Sequence, residues 1–181
     1  MVIHATHAIL AIYCGLLAWA ALSDALSLRI PNRVPLSLLI LYPCYLALSA
    51  DAMIGPVAIG AALAIAAIVF AIGFFCFARG WMGGGDVKLM TVGALWAGPA
   101  LVPEFLIVTS LIGGIQALFS VLRLRALLSL WFATTFAYAP ALAAGSDTAP
   151  LRHRRLPYGV AIAAGGVFVA ARLAGLIVPP N

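Results

Sequence analysis

"PVAIGAALAIAAIVFAIGFFCFARGWMGGGDVKLM", residues 56–90, puts two unlike kinds of sequence side by side. From Pro56 to Ala78 no residue carries a charge. At ~1.5 Å of rise per residue such a run, wound as a helix, crosses a hydrocarbon core of ~30 Å. The run then stops on Arg79, and three glycines, Gly83, Gly84 and Gly85, lead into Asp86 and Lys88. An ionisable residue costs about 2.5–3.5 kcal/mol at mid-membrane and less toward the edge, so one placed at that boundary is a functional candidate.

Working outward, apolar runs fall at about 5–23, 34–50, 54–77, 88–102, 104–122, 127–144 and 157–178. The 181 residues are 65% hydrophobic and 8% charged, with a mean hydropathy of +1.16. A soluble domain carries about a quarter charged residues. The runs do not alternate apolar with polar residues, which excludes a membrane barrel. The expectation is one membrane-embedded, all-α integral membrane domain over residues 1–181, with the lipid bilayer as its solvent. The first run has no basic residue ahead of it and continues past the small-x-small triplet at Ala18–Ala20, so it is expected to be a retained helix rather than a signal peptide.

Basic residues set the orientation. With residue 1 outside and alternating spans, Arg29, Arg33, Arg79, Lys88, Arg123 and Arg125 fall inside. If 127–144 does not cross, Arg152, Arg154 and Arg155 join them, and only Arg172 of the ten basic residues is left outside. The run 127–144 is short and carries Ser129, Thr134, Thr135 and Tyr138, which suits an interfacial or re-entrant segment. The expectation is therefore about six transmembrane helices. The net charge of +5 reads as this sidedness, and no basic patch with interleaved aromatics points to nucleic acid.

Few residues offer chemistry. Cys14, Cys44 and Cys76 stand singly in apolar runs, so no zinc or redox motif is encoded. His4 and His7 lack a carboxylate or cysteine nearby. No metal and no cofactor is expected. Asp24 closes the first run and Asp86 opens the fourth, both at the cytoplasmic side. An anion at a helix C-terminus is disfavoured by the macrodipole, which makes Asp24 hard to explain as a flanking residue, whereas Asp86 at an N-terminus is easy to explain. Two carboxylates brought close cannot both ionise, and such a pair can activate water without metal or nucleophile. Gly83, Gly84 and Gly85 lack a Cβ, so their backbone can adopt positive φ and approach another chain. Lys88 lacks the upstream glycine spacing of a phosphate loop.

Three segments, in order, carry a resemblance: "SDALSLRIPN" with Asp24, Pro31 and Asn32; "GGGDVKLM" with Gly83, Gly85, Asp86 and Lys88; and "LPYGVAIAAGG" with Pro157, Tyr158 and Gly159. Together they resemble the type IV prepilin peptidases, membrane aspartyl proteases of the GxGD kind. The resemblance implies a GxGD-type aspartyl protease architecture with Asp24 and Asp86 catalytic. It implies that Gly83, Gly84, Gly85, Lys88, Pro31, Asn32, Pro157, Tyr158 and Gly159 bind substrate or shape the site. It also implies an endopeptidase of the bacterial inner membrane, multi-pass, with its active site facing the cytoplasm. Its partners would be prepilins or pseudopilins with a basic leader and an adjacent hydrophobic helix. The chain has no cysteine-bearing insert near Asp24. It is similar in this to the short peptidases of tight-adherence (Flp) pili or archaeal preflagellin peptidases, which implies cleavage without N-methylation. The residues alone leave open a small transport or pilus-assembly subunit, whose acids would sit nearer mid-membrane, and a non-catalytic scaffold.

Cysteine-accessibility labelling checks the topology: a cysteine at Ser146 is expected to resist labelling from outside, and one at Asn181 to label from outside.

Overall fold

The computed structural model describes residues 2–49, 56–121 and 157–177. Among them there are five helices and no strand: α1 (Val2–Ser27), α2 (Arg33–Leu48), α3 (Pro56–Ala78), α4 (Gly84–Val121) and α5 (Tyr158–Leu173). The run at 127–144, with the basic residues on either side of it, lies outside the described residues. Three stretches, His4–Ser27, Pro56–Ala78 and Gly84–Phe119, are long and apolar enough to cross a membrane, while α2 and α5 are apolar but shorter. The chain is an all-α membrane protein.

The bend in α4 organises the bundle. The sequence predicts two runs parted by a turn over "GPALVPE". Instead, helix continues through this stretch except at Gly98, with φ 60° and ψ −178°, a conformation open in practice to glycine alone. Pro99 follows, its φ already suited to start a helix and its missing N–H not needed there. One residue therefore does the work expected of a seven-residue turn. The chain reverses here: a Cβ at Gly93 would stand 2.6 Å from Phe105 Cζ, though a straight helix would hold these residues about 18 Å apart.

Neighbouring segments run antiparallel. Thr6 Oγ1, near the start of α1, donates to the carbonyl of Leu48 at the end of α2 (3.3 Å). Gly73 of α3 meets Val87 of α4, while Ala62 and Ala66 meet Leu95. On the returning arm of α4, Gly113 meets Tyr158 and Phe105 meets Gly165 of α5. Val121 and Pro157 therefore face the end of the bundle that holds Asp24. Arg29, Arg33, Arg79 and Lys88 lie at that end too. Arg172, the one basic residue that the sequence left on the other side, lies toward the opposite end and pairs with Glu104 at 3.3 Å. A neutralised pair weakens the charge that the sidedness rule counts.

Trp96 ties the first arm of α4 to α1 and α2. Its ring centroid lies 4.3 Å from Tyr13, 5.2 Å from Tyr45 and 5.6 Å from Tyr42. Its indole N–H donates to the Leu38 carbonyl at 3.0 Å. Pro43, inside α2, has no N–H for the neighbouring Leu39 carbonyl, so the ladder is open where Trp96 docks. α3 buries only Ala62, Ala66 and Gly73, and it turns Phe70, Phe74 and Phe77 outward. Such a face needs hydrocarbon rather than water around it.

No atom lies within 4 Å of where a Cβ at Gly98 would stand. Gly98→Ala is therefore expected to destabilise by ~1–3 kcal/mol through backbone strain alone, measured by unfolding in detergent. Gly60→Ala, also into open space but within a regular helix, is expected to cause no loss.

Candidate active site

α1 ends on a tight turn. The Leu28 amide donates to the Asp24 carbonyl (2.9 Å), and Leu28 itself takes φ 54°, rare for a residue with a side chain. The Ser23 hydroxyl donates to the Arg29 carbonyl at 2.8 Å, and the Ser27 hydroxyl to the Ser23 carbonyl at 2.6 Å. These bonds fold "SLRIPN" back against the helix end. Pro31 then offers its carbonyl to the Val34 amide (3.0 Å), starting α2.

Asp24 lies in the last turn of α1 and is only 5% exposed. At its own helix end the macrodipole opposes an anion. The structure answers this from another helix. Asp24 Oδ2 accepts the Gly159 amide at 2.7 Å. Gly159 is in the first turn of α5, whose cap residue Pro157 has no side chain able to accept a hydrogen bond. The Asp24 carboxylate thus serves one of the orphan amides at the start of α5, at the end of that helix that favours negative charge.

Asp86 is half-buried in the first turn of α4. Its carboxylate folds back over the chain, with Oδ2 2.9 Å from where a Cβ at Gly83 would stand. Two residues on, Lys88 Nζ donates to Asn32 Oδ1 at 2.9 Å. Asn32 is the cap residue of α2 but makes no side-chain cap bond there, since its amide oxygen is turned to the lysine.

The expected backbone conformation of the glycines needs correcting. Among the described glycines, positive φ occurs at Gly80, Gly98 and Gly175, not at Gly83, Gly84 or Gly85. Gly84 and Gly85 begin α4, Gly83 directly precedes it, and parts of the same chain press on all three. A Cβ at Gly85 would stand 3.1 Å from Ile30 Cβ, and one at Gly84 would stand 3.3 Å from Phe77 Cε2. Gly159 is tighter: its Cβ would meet Asp24 Oδ2 at 2.8 Å, Asp24 Cβ at 2.9 Å and Ile30 Cδ1 at 2.9 Å.

The residues singled out from sequence therefore divide. Asp24, Gly159, Gly85 and Asp86 belong to segments that converge on the turn holding Ile30, Pro31 and Asn32, and Lys88 is bonded to that turn. Gly84 faces α3, and the Tyr158 ring lies against Gly113 of the returning arm of α4, so neither is turned to Asp24 by these contacts. Pro157 is buried and offers its carbonyl to the Val160 amide at 3.3 Å. Ile30 and Ser23 escaped notice as site residues. An isoleucine in an apolar chain carries no compositional signal, and the one signal for either was its place inside the quoted segment "SDALSLRIPN". Among the described residues no group of three His, Cys, Asp or Glu could hold a metal ion.

Gly159→Ala must displace Asp24 or Ile30, or pull α5 away. It is expected to cost ~1–3 kcal/mol as overpacking, read by unfolding in detergent beside the Gly60→Ala control.

No curated protein and no solved structure matches the chain. A scan of protein families matches the type IV leader peptidase family over residues 11–118, more than half of the chain, a span that contains Asp24, the turn to Asn32 and Gly83–Lys88. The chain belongs to the type IV leader peptidase family.

Proposed function

We propose that this leader peptidase is an aspartic endopeptidase that removes the short basic leader of prepilins of the tight-adherence (Flp) type. It works at the cytoplasmic face of the bacterial inner membrane, with Asp24 and Asp86 as one catalytic unit. The observation that carries the reading is the meeting of three chain segments at one end of the bundle. Asp24 is bonded there to the start of α5, and Asp86 stands at the start of α4. The basic residues Arg29, Arg33, Arg79 and Lys88 at the same end support a cytoplasmic orientation.

In the proposed reaction the pair holds one proton. The ionised carboxylate takes a proton from water as the oxygen attacks the scissile carbonyl carbon. The protonated carboxyl donates to the carbonyl oxygen. Collapse of the tetrahedral intermediate breaks the C–N bond, the leaving amine takes up a proton, and the pair returns to its singly protonated state. Both aspartates lie at the start of a helix, Asp86 in its own and Asp24 against α5, and those helix ends stabilise the negative charge the pair must carry. The short connection between α1 and α2 has no room for a cysteine-bearing insert, which supports cleavage without methylation of the new N-terminus.

The test is co-expression with prepilins from the same genome. Leader removal would be read as a mobility shift, and the new N-terminus by mass spectrometry. Asp24→Asn and Asp86→Asn are each expected to lose activity by ~10³-fold or more, and the double variant to be no worse, because members of one unit do not add. The wild-type rate is expected to fall at both pH extremes. Substantial cleavage by either single variant at normal membrane level would refute the dyad. A methyl group that depends on this chain would refute the restriction to cleavage.

A further inference from the structure

We propose that Ile30 is a positioning residue for the hydrolysis, a wedge that sets the separation of the two aspartates. The inference rests on the dyad reading above. It starts from one side chain with two neighbours. Ile30 Cδ1 lies 2.9 Å from where a Cβ at Gly159 would stand, and Ile30 Cβ lies 3.1 Å from the same point at Gly85. Both glycines adjoin a carboxylate. The Gly159 amide is bonded to Asp24 Oδ2, and Gly85 directly precedes Asp86. A continuous path of contacts thus runs from Asp24 through Gly159, Ile30 and Gly85 to Asp86.

Three features make the wedge stiff. A β-branched side chain has few rotamers. The turn that carries it is pinned by Ser23 on the Arg29 carbonyl at 2.8 Å, and by the left-handed Leu28. On its other side Lys88 holds Asn32 at 2.9 Å, which ties the turn to α4 beyond Asp86. The approaches at Gly85 and Gly159 leave no slack for a side chain on either glycine. The starts of α4 and α5 therefore rest on opposite parts of one isoleucine, and its width is the spacing between them.

Removing width should let the two helix starts close on each other. A pair of carboxylates whose separation shrinks is more strongly coupled, so its two apparent pKa values move apart and the singly protonated form occupies a wider pH window. A misplacement of about 1 Å can cost a hundredfold in rate. Ile30→Val removes only the methyl that meets Gly159. Ile30→Ala removes everything beyond Cβ. Ile30→Leu keeps a methyl at comparable reach.

The experiment measures kcat, KM and the pH–rate profile for leader removal from a purified prepilin of the same genome, in liposomes, with rates normalised to folded enzyme. For Ile30→Ala, kcat is expected to fall at least ~10-fold with KM within about twofold, and the bell-shaped profile to broaden. Ile30→Val is expected to fall between Ile30→Ala and wild type, and Ile30→Leu to recover most of the loss. Wild-type kcat and profile width in Ile30→Ala would overturn the proposal. So would a loss of protein level or thermal stability alone, with kcat per folded molecule unchanged across the series. If Ile30→Ala does not accumulate, the Val and Leu variants decide by the same criteria. Asp24→Asn and Asp86→Asn run beside them: activity in those variants sinks the dyad, whereas their inactivity with an unaffected Ile30 series sinks only the wedge.

Discussion

A single hydrogen bond, from the Gly159 amide to the Asp24 carboxylate at 2.7 Å, joins the two ends of the described chain. A nearly buried carboxylate at the C-terminus of its own helix is badly placed on two counts, since burial and the macrodipole both oppose its charge. It is tolerable because the start of α5 supplies an amide and a favourable dipole. The dependence runs both ways. α5 begins at Pro157, which cannot cap it, so the first turn of α5 needs the aspartate as much as the aspartate needs the amide. The price of removing either partner is a buried polar group with nothing to bond, about 1–3 kcal/mol.

Small residues let this bond form. α5 reaches Asp24 because Gly159 has no Cβ, and α4 reaches the same turn because Gly85 has none. Farther along, Gly165 lies against Phe105 and Gly166 against Leu17 and Tyr13, which brings α5 close to both α4 and α1. Lipid surrounds such a bundle with material as apolar as its own side chains, so close packing rather than expulsion from water must hold the helices together. Beside the glycine contacts stand a few polar clasps: Trp96 on the Leu38 carbonyl, Lys88 on Asn32, and Arg172 on Glu104.

The described charges sort by depth. Asp24, Asp86, Arg29, Arg33, Arg79 and Lys88 lie at one end, and Glu104 with Arg172 toward the other. Arg79 rests over the Phe75 ring at 4.6 Å and near Trp81 at 5.9 Å, an amphipathic cluster suited to the boundary between hydrocarbon and water. The candidate site therefore lies at the end of the bundle that gathers most of the described charges.

The apolar runs fixed the class and the helices, because a chain in lipid must satisfy its backbone bonds within each span. The bounds of α2 and α3 lie close to those of their runs, whereas α1 continues to Ser27 and α5 stops at Leu173; Asp24 and Asp86 stand out because charge in such a chain is costly. The motif resemblance named the family that the comparison found. Other features belong to the tertiary structure alone. The reversal in α4 narrowed from a seven-residue turn to Gly98, since a glycine's φ is not written in the residues around it. Gly83, Gly84 and Gly85 are small for the sake of Phe77, Ile30 and the Asp86 carboxylate rather than for positive φ, and close approach depends on partners distant in sequence. Ile30 stood inside a quoted motif, but its contacts with Gly85 and Gly159 were not legible there for the same reason. Composition and periodicity report how each segment meets its solvent, but which two segments touch, and through which atom, is decided only when the helices pack.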